Sequence, residues 1–153
     1  MKEHEILGWR EWISLPDLEI NYLKCKIDTG ARTSALHAFF VEPDSARNTV
    51  RFGIHPIQRR EDVEIICTAR FIDKRLVTDS GGHKEKRYVI ETSIRLGKSA
   101  WPIEITLTNR DTMKFRMLLG RTAMRKNMLV NPNASFVTGK PDLTPYIKKP
   151  KQD

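Results

Sequence analysis

Ile27-Asp28-Thr29-Gly30-Ala31-Arg32-Thr33-Ser34-Ala35-Leu36-His37-Ala38 is the stretch that decides the fold. An alternating apolar run, Leu23, Cys25 and Ile27, leads into it, the pattern of a half-buried strand. Asp28 directly follows that run and directly precedes Thr-Gly. The order predicts a carboxylate at the end of a buried strand, on a tight turn that Gly30 permits by reaching positive φ. Thr29 adds a hydroxyl and a β-branched anchor. A carboxylate on a rigid turn is suited to proton transfer with water.

Outward from this stretch the chain reads as short strands separated by turns. Ile6 to Leu15 carries two tryptophans and ends at Leu15-Pro16-Asp17. Ser34 to Val41 reads as one strand stopped by Glu42-Pro43-Asp44. Val50, Phe52 and Ile54 alternate with Arg51, Gly53 and His55, so that stretch is half buried. Val63 to Phe71 and Arg75 to Thr78 read as two further strands. Asp79-Ser80-Gly81-Gly82 signals a hairpin into Arg87 to Leu96. Trp101 to Leu107 and Phe115 to Leu119 follow. Arg121 to Asn127 is the one segment that reads as helix, about two turns long, and Leu129 to Pro132 returns to extended chain. This pattern predicts an all-β fold, a small closed or partly open barrel with one short C-terminal helix. Residues 1–137 form the domain, and 138–153 a Pro- and Lys-rich tail.

Asp28-Thr29-Gly30-Ala31 resembles the signature of retroviral-type aspartic proteases, the retropepsins. About ninety residues later, Met117-Leu118-Leu119-Gly120-Arg121 is similar to the hydrophobic-hydrophobic-Gly-Arg motif that braces the catalytic loop in that fold. The longer strings Lys26 to His37 and Met113 to Arg121 resemble a bacterial retropepsin-like group labelled ATP-dependent zinc proteases. The resemblance covers about residues 6–137. It implies an acid-protease barrel and an aspartic endopeptidase activity, with Asp28, Thr29 and Gly30 at the catalytic loop. Leu119, Gly120 and Arg121 would support that loop. It also implies a link to ATP-grasp ligases that add glutamates to proteins.

Aspartic chemistry needs two carboxylates, one charged to activate water and one protonated to polarise the scissile carbonyl. Two such groups ~3 Å apart cannot both ionise, so their pKa values split. This chain has one Asp-Thr-Gly, so a homodimer is expected, with two Asp28 side chains meeting on a two-fold axis. Ala31 cannot donate a side-chain hydrogen bond to the carboxylate, which favours working nearer neutral pH than a pepsin does. Arg32 stands where the viral pattern has an acid, and offers a five-donor fork to a carboxylate. Gly81 and Gly82 read as the tip of a flap whose Lys84, Lys86 and Arg87 bring positive charge to the cleft. Ala31, Arg32, Gly81 and Gly82 are therefore the expected substrate contacts. Ser34 and His37 are an odd number apart, which on a strand puts them on opposite faces and argues against a Ser–His pair.

The chain has 153 residues, 39% of them hydrophobic, and a net charge of +8. Its mean hydropathy of −0.48 fits one soluble globular domain. The charged start, Met1 to Glu5, lacks the apolar core of a signal peptide, so a cytoplasmic location is expected. The basic balance favours an acidic partner or a nucleic-acid surface; with Arg32 and the basic flap beside it an acidic substrate is expected, and the ligase link that the resemblance implies points to a glutamate-rich protein tail. No aromatic-rich RNA-binding motif or zinc-finger spacing accompanies the charge, which makes nucleic acid a poor candidate. Cys25 and Cys67 lie far apart and form no C-x-x-C unit, and Cys25, within the alternating apolar run, reads as a small core residue. His4-Glu5 begins like a zinc helix, but Gly8 stands where the second His belongs, and no phosphate loop occurs. No metal and no cofactor is expected from the residues. Two functions compete: a homodimeric peptidase, and a non-catalytic binding or regulatory module partnering an ATP-grasp glutamate ligase.

Overall fold

The structure is a computed structural model that describes residues 3–57, 60–78, 81–110 and 114–140. Eleven strands are present among them: β1 (Glu5–Gly8), β2 (Arg10–Leu15), β3 (Ile20–Asp28), β4 (Ser34–Ala38), β5 (Phe40–Asp44), β6 (Thr49–Ile54), β7 (Ile65–Thr78), β8 (Lys84–Leu96), β9 (Ser99–Asn109), β10 (Met117–Gly120) and β11 (Met128–Asn131). Six of them close a barrel in the order β2-β3-β10-β4-β9-β8, and β8 returns to β2. The closing pair is Ser14 with Arg95. Strands β7, β6 and β5 extend the sheet outward from β8, and β1 and β11 form a separate parallel pair. The all-β barrel expected from the alternation is the observed architecture.

Alternation explains which side chains fill it. In β2 every second residue from Glu11 is buried, and in β3 Ile20, Leu23, Cys25 and Ile27 turn inward. They meet Leu36, Ile90, Ile94, Ile105, Met117 and Leu119 in one core. Both cysteines are free and buried. Burial pushes the Cys25 thiol up, and holds that of Cys67 up at about 11. Neither is a ready nucleophile.

Three details differ from the sequence reading. Ser34 to Val41 breaks at Phe39 into β4, buried throughout, and β5, which lies at the edge of the sheet. Pro43 sits within β5, which an edge position tolerates because proline has no N–H to donate. The segments around Phe71 and Arg75 are one long strand, β7, with a bulge between Phe71 and Asp73. The predicted helix from Arg121 is a single 3₁₀ turn, Arg121–Ala123. The Ala123 carbonyl, which an α-helix would offer to residue 127, instead accepts the Trp101 indole N–H at 2.8 Å. Met124 is already extended. Of the predicted tail, Thr138 is held by the buried Glu11 carboxylate, while residues 141–153 lie outside the described residues. No helix among the described residues is long and apolar enough to cross a membrane.

Candidate functional site

Strand β3 ends at Asp28, and β10 runs parallel beside it, with Leu119 opposite Ile27 and Gly120 opposite Asp28. The two distant motifs are thus adjacent. Asp28 Oδ1 accepts the backbone N–H groups of Gly30 at 3.1 Å and Ala31 at 3.2 Å. The loop folds back on its own acid, which fixes the carboxylate's direction. Gly30 is not at positive φ, contrary to expectation: among the described residues only Gly82, Gly97 and Gly139 are glycines of that kind. Its value here is space, because a Cβ would stand 3.3 Å from Asp28 Oδ1.

The loop is braced from behind. Arg121 donates its backbone N–H to the Ala31 carbonyl at 2.8 Å and its guanidinium to the Gly30 carbonyl at 3.2 Å. Thr122 gives its hydroxyl to the Arg32 carbonyl at 2.6 Å. The Gly120 N–H donates to the buried Ser34 hydroxyl at 3.0 Å. A Cβ on Gly120 would lie 2.6 Å from the Thr33 carbonyl carbon and 2.7 Å from its oxygen. Only glycine lets β10 approach the loop this closely.

Asp28 opens onto a cleft of about 1020 Å³, whose floor is the Asp28 loop and β4 and whose wall is the β7–β8 hairpin. Gly30, Ala31, Arg32 and Thr33 line it from the loop, Ala35 and His37 from β4, and Arg75 to Thr78 with Arg87 from the hairpin. Arg110, just after β9, completes it. Asp28 is the sole acid among these lining residues, against four arginines. Arg75 is bridged to Asp73 at 2.9 Å and to Glu104 at 2.7 Å, and Arg87 to Glu85 at 3.3 Å. Arg32 is exposed at the cleft and forms no ion pair among the described residues.

The other expected contacts fall outside the lining. Thr29 is exposed on the loop. Gly81 and the exposed Gly82 sit at the hairpin tip, where Gly82 has a φ of 83° and open space around it. Asp79 and Ser80 of the predicted turn lie outside the described residues. Lys84 and Lys86 are exposed, and of the three expected basic residues Arg87 is the one that lines the cleft. Ser34 and His37 do not act together: Ser34 faces Gly120, and His37 faces the cleft.

Sequence reading missed Arg75, Arg110 and His37. Arg75 was within reach, because it pairs with Arg87 across the hairpin and counting back from the turn would find it. His37 and Arg110 meet only through the β4–β9 pairing, which no local pattern encodes. Burial, then the positive charges of Arg87, Arg110 and Arg116, hold the His37 imidazole down at about 4, so it is neutral near pH 7. Among the described residues no three His, Cys, Asp or Glu side chains converge as a ligand set. The cleft offers one carboxylate and one imidazole in a field of guanidinium groups, which does not fit zinc.

A closed barrel with Asp-Thr-Gly at a strand end, locked by a parallel strand ending in Leu-Gly-Arg, defines the retropepsin-like class. The chain belongs to the RimB-like family, described as "Retropepsin-like aspartic endopeptidase RimB", whose model matches residues 6–141. It is 44% identical over 136 residues to a "Probable alpha-L-glutamate ligase" of Shewanella pealeana. It is 45% identical over 137 residues to a protein of the same name from Parasynechococcus marenigrum. Each match takes in 88% of this chain, which spans about 30% of the length of the curated relatives it matches. A crystal structure of a Legionella pneumophila protein of unknown function is similar with a TM-score of 0.70 and 28% identity, over 87% of this chain and 97% of that one.

Proposed function

We propose that this chain is one half of an aspartic peptidase that cleaves an acidic, glutamate-bearing peptide, and that it works beside a glutamate ligase. One observation carries the reading: a cleft in which Asp28 is the sole acid among four arginines. The two loop N–H groups both bind Asp28 Oδ1, and the Asp28 side chain lines the cleft. A second Asp28, from a partner chain, would share one proton with it. The charged carboxylate then takes a proton from water, the protonated one donates to the carbonyl oxygen, and the tetrahedral intermediate collapses with a proton passed to the leaving nitrogen. Arg32 and Arg87, both lining the cleft, draw acidic side chains to the site, an attraction that weakens with salt.

A second reading draws on the relatives' names, which favour it more directly than they favour hydrolysis. They name a ligase, of which a region like this chain is less than a third. On that reading the domain is a non-catalytic module that binds or presents the acidic peptide to an ATP-grasp ligase. The two part on one experiment, cleavage and binding of glutamate-rich peptides by wild type and Asp28→Asn. Hydrolysis by wild type, lost in Asp28→Asn while binding persists, supports the peptidase. Binding without hydrolysis by wild type, at any protein concentration, supports the module.

A further inference from the structure

The cleft holds a feature that the aspartic chemistry does not use. His37 is 6% exposed, lines the cleft, and has a buried Nδ1 with no hydrogen-bond partner. Its register partner on β9 is Thr108, 1% exposed, whose hydroxyl is likewise without a partner. Neighbours on paired strands face the same way, so Thr108 lies beside His37 on the cleft side of the β4–β9 pair, covered beneath the residues that line the cleft. Buried polar groups are nearly always paired, and each one left unmet carries a desolvation cost. Such a pair beside an open cleft is suited to a ligand that completes it.

We infer that His37 and Thr108, with the guanidinium groups of Arg87 and Arg110, form a subsite that holds a carboxylate of the bound peptide. This rests on the acidic-peptide reading above and adds the residues that select the acid. The division of labour follows from charge. Arg87 on β8, Arg110 after β9 and Arg116 before β10 bring positive charge to the imidazole, with Glu85 bridged to Arg87 at 3.3 Å, and Asp28 is the one acid among the described residues that line the cleft. Arg116 itself is buried and donates Nε–H to the His55 carbonyl at 3.0 Å. The arginines supply attraction. A neutral imidazole adds a directed N–H that glutamine's amide group would satisfy poorly beside so many donors. The Thr108 hydroxyl rotates to donate to the second carboxylate oxygen.

Binding is the test, measured by calorimetry on the full chain carrying Asp28→Asn so that peptide survives. The probes are acetylated hexaglutamate amide, hexaglutamine amide and hexaglutamate free acid. Hexaglutamate should bind at least tenfold more tightly than hexaglutamine, and His37→Leu should shrink that ratio by about tenfold. Thr108→Val should shrink it by about threefold, and His37→Gln, which keeps a donor, less than His37→Leu. Because these positions are buried, a second measurement leaves them intact: hexaglutamate should move the ¹⁵N resonances of the His37 imidazole and hexaglutamine should not. A shift that persists with the amide assigns a side-chain carboxylate, and one that needs the free acid assigns the C-terminal carboxylate. An unchanged ratio in folded His37→Leu, or no His37 shift at saturating hexaglutamate, overturns the subsite. Hexaglutamate and hexaglutamine binding alike would overturn the acidic-peptide reading itself, whereas a His37 response without hydrolysis by wild type overturns only the peptidase.

Discussion

A methyl group on Gly120 would press on backbone, the Thr33 carbonyl at 2.6 Å and the Arg32 carbonyl carbon at 2.9 Å, which no side-chain rotation relieves. Gly120→Ala should therefore cost about 1–3 kcal/mol and displace the Asp28 loop. A lower melting temperature with a larger loss of activity checks this; a variant with unchanged melting temperature and activity would show that the approach is not needed. Asp28-Thr29-Gly30 was legible as a loop at a strand end, because apolar alternation and a small residue mark such a place. Why Gly30 is glycine was not, since clearance from Asp28 Oδ1 is a distance and not a pattern. His37 gives a pH effect of definite sign. Its folded pKa, about 4, lies below the unfolded value of 6.5. Between them the unfolded chain binds a proton that the folded chain does not, so stability falls as pH drops from 6.5 towards 4, by up to about 3 kcal/mol. Denaturant midpoints at pH 7 and pH 4.5 should separate more in wild type than in His37→Leu, and equal separation would mean that the imidazole is protonated in the fold.

The β7–β8 hairpin walls the cleft. Its outer part pairs Thr78 with Lys84 and Arg75 with Arg87, yet Ile72 and Leu76 are more than half exposed. Those exposed apolar side chains lend it little burial, and the ion pair from Arg75 to Glu104 on β9 is a surface tie, so local opening is expected at low cost. Because Arg75 to Thr78 line the cleft, a bound peptide should slow amide exchange across 75–78 and 84–87 while leaving β3 and β10 unchanged. Equal exchange with and without saturating hexaglutamate would mean that the hairpin is a fixed wall. Turn residues announced this hairpin in the sequence. The helix at Arg121 failed for a tertiary reason: helical propensity is weak, and Trp101, distant in sequence, claims the Ala123 carbonyl that an α-helix would use. The break at Phe39 has a similar cause. Its N–H donates to the Gly53 carbonyl at 2.9 Å, a pairing that redirects the chain from barrel to outer sheet.

At the scale of the whole molecule, barrel closure is what makes a site from scattered residues. It sets β10 between β3 and β4, which places Gly120 beside Asp28, and it sets β9 beside β4, which places Arg110 near His37. The first juxtaposition was legible, because both partners carry motifs. The second was not, because a lone His and a lone Arg carry none. The same closure leaves a site with one carboxylate: none of the other described residues that line the cleft is an acid. A peptidase on this plan needs a second Asp28, and so a second chain. Specific activity should then be constant at high protein concentration and fall on dilution, in step with the loss of dimer seen by sedimentation. Mixing wild type with excess Asp28→Asn should reduce activity further than dilution of wild type alone, because each mixed dimer has one carboxylate and is inactive. A monomer in sedimentation that keeps full specific activity, and is indifferent to added Asp28→Asn, would exclude the two-chain site.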